Sequence, residues 1–189
     1  DKRVGGEFLH PGAGYGGSCF PKDVKAMIAI AKNFGYDFSF LKEVEEVNKQ
    51  AMLRIVDKAQ KLLRGEIKDK TIGILGLSFK PDTDDMRDAP SIVVINQLQK
   101  EGAKIKAYDP IAMDNAKKIF KNVEFCSDSY SAARGCDLLI VMTEWNEFGQ
   151  LNLSKIKKFM KEPALLDGRN LYEPYRLREM GFIYAGVGR

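Results

Sequence analysis

The first third of the chain combines a glycine-rich stretch with two segments of helical periodicity. Residues 1–21 contain six glycines and two prolines, a composition that predicts an irregular loop. Apolar residues then recur at helical spacing from Asp23, and Gly35 predicts the end of that helix. A second helix is predicted from Ser39, which can cap it, to about Leu63. Its apolar positions form one long stripe, so this helix needs a partner surface.

From residue 66 onward, short apolar runs alternate with amphipathic segments. This alternation predicts an α/β fold in which helices flank a parallel sheet. The predicted strands are 71–75, 104–108, 123–125, 138–142, 164–166 and 182–184. The predicted helices are 90–101, 112–120, 129–134, 153–160 and 174–180. We therefore predict a helical region over residues 1–65 and a doubly wound, Rossmann-like domain over residues 66–189.

Composition and charge exclude several classes of function. The chain has 30 basic and 26 acidic residues, and the two signs are interspersed, which is typical of a solvated surface and not of a nucleic-acid-binding stripe. The apolar runs are too short to span a bilayer. Three cysteines and one histidine show no metal-ligand spacing and fit a reducing compartment. We expect a cytoplasmic protein that binds no nucleic acid, membrane or metal.

The strongest chemical signal is the segment GAGYGGSCFPKD, residues 12–23. Cys19 precedes the first predicted helix and lies near Lys22, and both features favour the thiolate, which is the nucleophilic form. Asp23 can accept a proton or orient a water molecule. A lone cysteine in a glycine-rich turn can equally be an ordinary buried residue, and spacing alone leaves this open. A cysteine–histidine hydrolase would need His10 beside the thiol, but no oxyanion or third-member signal accompanies it.

The longer string FLHPGAGYGGSCFPKD, residues 8–23, resembles the active-site segment of the UDP-glucose 6-dehydrogenases, which belong to the UDP-glucose/GDP-mannose dehydrogenase family. The resemblance implies oxidation of UDP-glucose to UDP-glucuronate with NAD, through a cysteine-linked thiohemiacetal and thioester. It implies Cys19 as the nucleophile and Asp23 as the carboxylate that assists the covalent step and hydrolysis. The residues implied for substrate binding are Arg3, Phe8, His10, Tyr15 and Gly16. Those implied for contact with the nicotinamide are Cys19, Phe20, Pro21 and Lys22.

A second candidate segment, residues 73–91, runs from the first predicted strand through a loop to the next helix. Ligands of α/β sheets bind at such strand ends, and a lysine or a bidentate arginine there can meet phosphates. Taken alone, this pattern is also typical of a solvated loop. By the resemblance, Phe79 and Lys80 contact the sugar nucleotide and Arg87 contacts NAD. Arg169, in the later strand-end segment DGRNL, is a further candidate for substrate contact.

The remaining aromatic and sulfur-containing side chains are expected to be structural. Trp145 and Phe148 follow a predicted strand and should pack locally. Cys126 and Cys136 flank predicted strands and should be inert packing residues. Asp82, Asp84 and Asp85 lack the rest of a calcium-loop pattern.

The resemblance covers the whole chain but omits parts of a complete family member. This sequence has no counterpart of three family features. They are the βαβ unit with GxGxxG, the family's lysine and asparagine on a central helix, and the glutamate of its first domain. The chain also begins without an initiator methionine or a signal peptide. We therefore expect a C-terminal portion, beginning mid-protein or trimmed, that does not turn over substrate alone.

Three further expectations concern partners and alternatives. The long helix is expected, by resemblance, to pair with its twin in a homodimer. Relatives that oxidise GDP-mannose or UDP-N-acetylmannosamine are the alternatives on substrate, although PKD and FKPDTDD favour UDP-glucose. A module that only binds sugar nucleotides and dimerises is the alternative from a different functional class.

Overall fold

The structure, a computed structural model, describes Gly6 and residues 9–189. Two of the predicted substrate-binding residues, Arg3 and Phe8, lie outside the described residues. In the described part an irregular segment leads into two helices, and an alternation of strands and helices follows them.

The described residues form eight helices and six strands. The helices are α1 (Phe20–Asn33), α2 (Ser39–Leu62), α3 (Pro90–Lys100), α4 (Met113–Ile119), α5 (Ser129–Ala133), α6 (Asn146–Gly149), α7 (Leu153–Phe159) and α8 (Pro174–Glu179). The strands are β1 (Thr71–Leu75), β2 (Lys104–Tyr108), β3 (Val123–Phe125), β4 (Leu138–Val141), β5 (Ala164–Asp167) and β6 (Ile183–Gly186).

The strands pair in parallel in one sheet, in the order β3-β2-β1-β4-β5-β6. The chain starts in the middle at β1, moves to one edge through β2 and β3, and returns to the centre at β4. It then proceeds to the other edge. This is a doubly wound, Rossmann-like order, and the predicted fold class is confirmed.

Helices cover both faces of the sheet. On one face, α2, α3 and α4 pack against residues such as Ile74 and Ile140. On the other face, α5 to α8 pack against residues such as Leu139 and Leu165. Because successive residues of a strand point to opposite faces, a strand that is covered on both sides needs an unbroken apolar run. The sequence Leu-Leu-Ile-Val of β4, buried throughout, meets this need.

The long helix α2 passes through two environments. Its second half is buried against the sheet, where Ile55 is only 1% exposed. Its first half leaves Phe40 and Val47 exposed by 71% and 49%. The apolar stripe predicted for this helix is therefore covered along its second half and open along its first.

Some boundaries differ from the predicted ones. The helix α1 begins at Phe20 instead of Asp23, because Pro21 suits the first helical turn, where its fixed φ is favourable and no N–H is needed. The short helix α6 was not predicted, since its four residues are too few to show a helical period. The last strand, β6, begins at Ile183 and extends to Gly186, slightly beyond the predicted 182–184.

Candidate active site

The strand order reverses between β1 and β4, which lie side by side at the centre of the sheet. In open α/β sheets the crevice beyond the carboxyl ends of such strands is where ligands bind. The two loops that leave these strands are joined directly, because the Thr143 hydroxyl donates a hydrogen bond of 2.6 Å to the Ser78 carbonyl. The candidate site is built around this junction.

Asp109, the first residue after β2, holds three of the strand-end loops together. Asp109 is 1% exposed, and its carboxylate accepts hydrogen bonds from donors on the loops after β1, β2 and β4. The donors are Leu77 N (2.7 Å), Ser78 N (3.2 Å), Ser78 Oγ (3.2 Å), Ile111 N (2.9 Å), Ala112 N (2.7 Å) and Trp145 Nε1 (3.2 Å). A buried carboxylate is tolerated only when it is hydrogen-bonded in this way.

These contacts also argue against a dinucleotide cradle on this sheet. A Rossmann domain that binds NAD uses an acid near the end of its second strand for the ribose and a helix starting directly after its first strand for the pyrophosphate. Here the carboxylate of Asp109 is occupied by protein donors. The helix α3 begins only at Pro90, well beyond the end of β1 at Leu75. The crevice is thus suited to a ligand other than the adenosine half of NAD.

The glycine-rich segment lies directly on the loop that follows β1. The backbone N–H of Gly17 donates to the Arg87 carbonyl at 2.8 Å. A Cβ at Gly17 would lie 2.7 Å from the Phe79 ring, and one at Gly16 would overlap the Asp88 carbonyl. Only glycine allows an approach this close. The two candidate segments recognised in the sequence therefore form one site.

Cys19 occupies the N-cap position of α1 and is exposed. Its Sγ lies 3.8 Å from Ser18 Oγ. The Asp23 N–H donates to the Cys19 carbonyl at 2.8 Å, which places the two side chains one turn apart on the same helix face. The carboxylate of Asp23 lies 3.2 Å from the Lys22 ammonium. A thiol and a carboxylate thus share one exposed edge.

Arg87 brings a positive charge to the same edge. Its guanidinium forms a forked ion pair with Asp85, with Nη2 at 2.7 Å and Nε at 2.9 Å from the carboxylate oxygens. These hydrogen bonds lower the pKa of Asp85, and they are also the main cause of the raised pKa of Arg87. The Arg87 carbonyl accepts the Gly17 N–H at 2.8 Å, so Arg87 lies against the segment that carries Cys19.

Arg169, on the loop after β5, reaches the glycine-rich segment from the other side. Its Nη2 donates to Glu144 Oε1 at 2.6 Å, and a Cβ at Gly12 would overlap its guanidinium. The pair is largely covered, with side-chain exposures of 21% and 34%. The Nε atom of Arg169 is buried and has no hydrogen-bond partner among the described residues. The crevice thus holds a guanidinium with one N–H donor that no described residue pairs with.

Tyr15 ties the glycine-rich segment to α2. Its hydroxyl donates to Glu45 Oε1 at 2.6 Å, while its N–H and carbonyl both bond to the Asn48 side chain. Burial, followed by the hydrogen bond and charge of Glu45, raises the pKa of Tyr15. Tyr15 therefore fixes the glycine-rich segment to α2. The centroid of its ring lies 5.9 Å from that of Phe20, in an edge-to-face arrangement.

The other predicted site residues have less specific surroundings. The Lys80 ammonium is exposed and stands 5.5 Å from the centre of the Phe79 ring. Pro21 is buried in the first turn of α1. His10 is exposed, and within the described part of the chain no hydrogen bond joins it to Cys19. A cysteine–histidine dyad is therefore absent from the described site.

The residues expected to be structural are buried. Trp145 is 6% exposed and Phe148 is fully buried. Burial also raises the pKa of both the Cys126 and the Cys136 thiols, the latter to about 12. Both of these thiols are therefore poor nucleophiles, since the neutral thiol reacts poorly.

Sequence reasoning missed two residues that organise the site, Asp109 and Asn48. An acidic residue directly after a predicted strand was a usable signal for Asp109, because parallel strands end at one edge. Asn48 gave no such signal, since a polar residue on an amphipathic helix ordinarily faces water.

No group of three or more histidine, cysteine, aspartate or glutamate side chains could hold a metal ion within the described residues. Among the same residues, no helix is long and apolar enough to cross a membrane.

Residues 73–174 match the UDP binding domain of the UDP-glucose/GDP-mannose dehydrogenase family, and residues 1–50 match its central domain. The chain belongs to this family. It is 43% identical over its whole length to the UDP-glucose 6-dehydrogenase TuaD of Bacillus subtilis (strain 168). The fold is also similar to that of solved structures.

Two of these structures are informative. A UDP-glucose dehydrogenase from Pyrobaculum islandicum matches 99% of the chain with a TM-score of 0.82 and 31% identity. A UDP-D-ManNAc dehydrogenase from Pyrococcus horikoshii matches 95% with a TM-score of 0.77 and 27% identity. The chain spans 41% of the Bacillus relative and 41% of the Pyrobaculum chain.

Proposed function

We propose that this chain supplies the nucleophile and the nucleotide-sugar cleft for the NAD-dependent, four-electron oxidation of UDP-glucose to UDP-glucuronate. The observation that carries the proposal is the position of Cys19. This exposed thiol begins a helix and is held, through Gly17, on the loop at the reversal point of a UDP-binding sheet. Had Cys19 been sealed in apolar packing away from the loops after Leu75 and Leu166, the enzymatic assignment would fail.

The nucleotide part of the substrate belongs in the crevice. Phe79 offers a ring and Lys80 a cation on the loop after β1, while Arg169 offers a guanidinium with an unpaired Nε donor on the loop after β5. Guanidinium and ammonium groups are suited to diphosphate oxygens. With the diphosphate there, the sugar points toward the glycine-rich segment, where Tyr15, Gly16 and His10 are the proposed contacts.

Cys19 then acts on C6 of the sugar. After the alcohol has been oxidised to the aldehyde, the Cys19 sulfur bonds to the carbonyl carbon and the oxygen takes a proton, which gives a thiohemiacetal. The second oxidation converts this adduct to a thioester. Water attacks the acyl carbon, Asp23 accepts the proton of that water, and the carbon–sulfur bond breaks to release UDP-glucuronate and the Cys19 thiolate. NAD, when bound, accepts the hydride removed in each oxidation.

The residues of this chain fit contact with only one part of NAD. The edge formed by exposed Cys19, Phe20 and Lys22, with buried Pro21 beneath them in the first turn of α1, fits the nicotinamide. Exposed Arg87 fits an anionic group of the dinucleotide. The occupied carboxylate of Asp109 and the late start of α3 do not fit the rest. We therefore propose that the isolated 189-residue chain does not turn over substrate.

We further propose that residues 1–65 form the cysteine loop and a dimerisation region, and that residues 66–189 form the UDP-sugar domain. A homodimer through α2 is supported by the open first half of this helix, where Phe40 and Val47 line an apolar groove of about 380 Å³. Burial of such side chains is the usual driving force of association.

The second candidate function is oxidation of UDP-N-acetylmannosamine or GDP-mannose by the same cysteine chemistry. It is favoured by the similarity to the Pyrococcus dehydrogenase, whose fold matches nearly as well. A sugar-nucleotide-binding module without catalysis is the alternative in which Cys19 has no chemical role. Substrate competition among UDP-glucose, UDP-N-acetylmannosamine and GDP-mannose separates the first alternative from the proposal.

The test of the proposed function is NADH formation by the protein at its natural length, compared with its Cys19→Ser and Cys126→Ser variants. We expect the Cys19→Ser variant to lose at least about 10³-fold in kcat, because a hydroxyl replaces the nucleophilic thiolate. The Cys126→Ser variant should retain activity, since Cys126 is buried behind the edge strand β3 and belongs to none of the proposed contacts. Calorimetry with UDP should give the same affinity for all three proteins. Equal turnover of the wild type and the Cys19→Ser variant would refute the proposal.

A further inference from the structure

We propose that Asn48 is a positioning residue that sets where Cys19 stands in the cleft. The inference rests on the proposed function, because it assigns Asn48 a part in the placement of the nucleophile. It is carried by an arrangement of contacts between α2 and the glycine-rich segment that packing of the fold alone does not require.

The Asn48 side chain pairs with both main-chain groups of one residue. Its Oδ1 accepts from the Tyr15 N–H at 2.7 Å, and its Nδ2 donates to the Tyr15 carbonyl at 3.1 Å. This two-bond pairing fixes the segment in position and in orientation, as a neighbouring β-strand would. It needs an amide, because a carboxylate cannot donate and would repel the carbonyl.

The neighbouring glycine is shaped to admit this amide. Gly14 has a φ of +100°, which side-chain-bearing residues rarely adopt, and a Cβ there would lie 2.6 Å from Asn48 Oδ1. The segment can pass this close to α2 only because Gly14 has no side chain. The contact thus depends on one residue from each side, the amide of Asn48 on α2 and Gly14 in the glycine-rich segment.

The helix beneath Asn48 is a rigid support. One turn further on, Met52 is 7% exposed, and Ile55 and Val56 enter the core on the sheet. Asn48 thus transmits the position of the sheet to the glycine-rich segment. The Glu45 carboxylate, one turn earlier, accepts from the Tyr15 hydroxyl at 2.6 Å and adds a second contact from the same helix.

The segment needs such anchors because it is flexible by composition. Glycines lose more backbone freedom on ordering than other residues, and three of the four residues from Gly14 to Gly17 are glycine. Two backbone anchors fix this stretch: Asn48 at Tyr15, and the Arg87 carbonyl at Gly17. With Asn48 removed, the remaining anchor leaves the direction of the chain toward Cys19 less defined.

Loss of this anchor should lower kcat and leave nucleotide binding intact. Misplacement of a reacting group by about 1 Å can cost roughly 10²-fold in rate. UDP binds to the sheet loops, which Asn48 does not touch, so its affinity should stay within about twofold. A residue that only stabilised the fold would change both quantities or neither.

The experiment compares five variants in the protein at its natural length. Asn48→Ala removes the amide, and Asn48→Asp keeps its shape but cannot donate. Gln50→Ala is the matched control on the same helix, since Gln50 is exposed and bonds only to Glu46 among the described residues. Gly14→Ala disturbs the contact from the loop side. Gly35→Ala, at a φ of +73° in open space, controls for backbone strain.

We expect kcat for UDP-glucose oxidation to fall by about 10²-fold in Asn48→Asp, Asn48→Ala and Gly14→Ala. Gln50→Ala and Gly35→Ala should stay within about threefold of the wild type, and UDP affinity should hold in all five. Wild-type kcat in Asn48→Asp and Gly14→Ala would overturn the proposal. A parallel loss of UDP affinity in these variants would also overturn it.

A second readout keeps the inference separate from the proposed function. If the wild type forms no NADH, the proposed function fails, and alkylation of Cys19 by iodoacetamide then tests the anchor alone. A rate in Asn48→Ala that differs from that of Gln50→Ala by more than about threefold supports the anchor, because freeing the loop changes the surroundings of the thiol. Equal rates contradict it.

Discussion

The two sides of the candidate site are held in place by different means. On the sheet side, one buried carboxylate, Asp109, collects donors from three strand-end loops, and apolar packing surrounds it. On the cysteine side, the segment before Cys19 depends on a few hydrogen bonds to Asn48 and to the Arg87 carbonyl. Phe40, which lines the same groove as Tyr15, is 71% exposed.

This difference indicates that the sheet side and the cysteine side of the candidate site have different roles in this protein. The sheet side is held together by buried contacts, so substitutions there should lower the free energy of unfolding. The cysteine side has few buried contacts, so substitutions there should instead alter the reactivity of Cys19 and the association of the protein. Stability and reactivity should therefore be separable by single substitutions.

The sharpest contrast lies within α2 itself, between Ile55 and Val47. Ile55→Ala should lower the free energy of unfolding by about 2–5 kcal/mol, because it leaves a cavity against the sheet. Val47→Ala, at a half-exposed position of the same helix, should change it by less than about 0.5 kcal/mol. Urea unfolding of both variants at a low protein concentration, where association is suppressed, measures the difference. Similar losses would show that the two halves of α2 are not distinct.

The next largest effect is expected at Asp109. Asp109→Asn places an amide N–H₂ among backbone N–H donors, and unsatisfied buried donors should cost about 2–3 kcal/mol. Asp114→Asn is the matched control, because the Asp114 side chain is 91% exposed and pairs only with Lys117 among the described residues. Urea unfolding of the two variants is the measurement. An Asp109→Asn variant as stable as its control would remove Asp109 from its organising role.

A smaller effect is expected at Glu144, which holds Arg169 on the crevice side. Glu144→Gln should weaken UDP binding by about tenfold, because the guanidinium loses the charge-assisted bond that orients it. The free energy of unfolding should change by less than about 1 kcal/mol, since the pair is partly exposed. Calorimetry with UDP measures the affinity. Unchanged affinity would mean that Arg169 does not need Glu144 to meet the nucleotide.

The smallest effect is expected at Asp128, which caps the start of α5. Its side chain accepts from the Tyr130 and Ser131 N–H groups at the start of α5, so Asp128→Ala should cost about 1 kcal/mol at pH 7. Hydrogen bonds from Ser131 lower the pKa of Asp128 in the folded state. The stabilisation is therefore complete above the unfolded pKa of about 3.9 and is lost as the pH falls through the lower folded value.

Urea unfolding of the wild type and Asp128→Ala between about pH 6 and pH 3 checks this prediction. The difference between the two proteins should shrink only at the acid end. A difference that is constant across this range would contradict a carboxylate cap. Alkylation of Cys19 should be the same in both proteins.

The fold could be read from the sequence because hydrophobic periodicity reports burial directly. The all-apolar β4 and the amphipathic α2 gave clear patterns. Periodicity could not reveal α6, whose four residues are shorter than two turns. The start of α1 was predicted too late in the sequence, because Pro21 favours the first turn through its backbone geometry, which leaves no hydrophobic signal.

The site was only partly readable for a related reason. The segments around Cys19 and Phe79 stood out by composition and resemblance, whereas their contact through Gly17 and Arg87 depends on packing between distant parts of the chain. The pairing of Asn48 with Tyr15, 33 residues away, has no local signature. The assigned roles of the site residues remain predictions for the experiments above.

The most direct test asks whether Cys19 stands at the mouth of the nucleotide-sugar cleft. The measurement is the rate of Cys19 alkylation by iodoacetamide, followed by peptide mass, with no ligand, with UDP and with UDP-glucose. UDP-glucose should slow the reaction by at least about tenfold, because the hexose covers the thiol, and UDP alone should slow it much less. Cys19 modified at the same rate in all three conditions would contradict the placement.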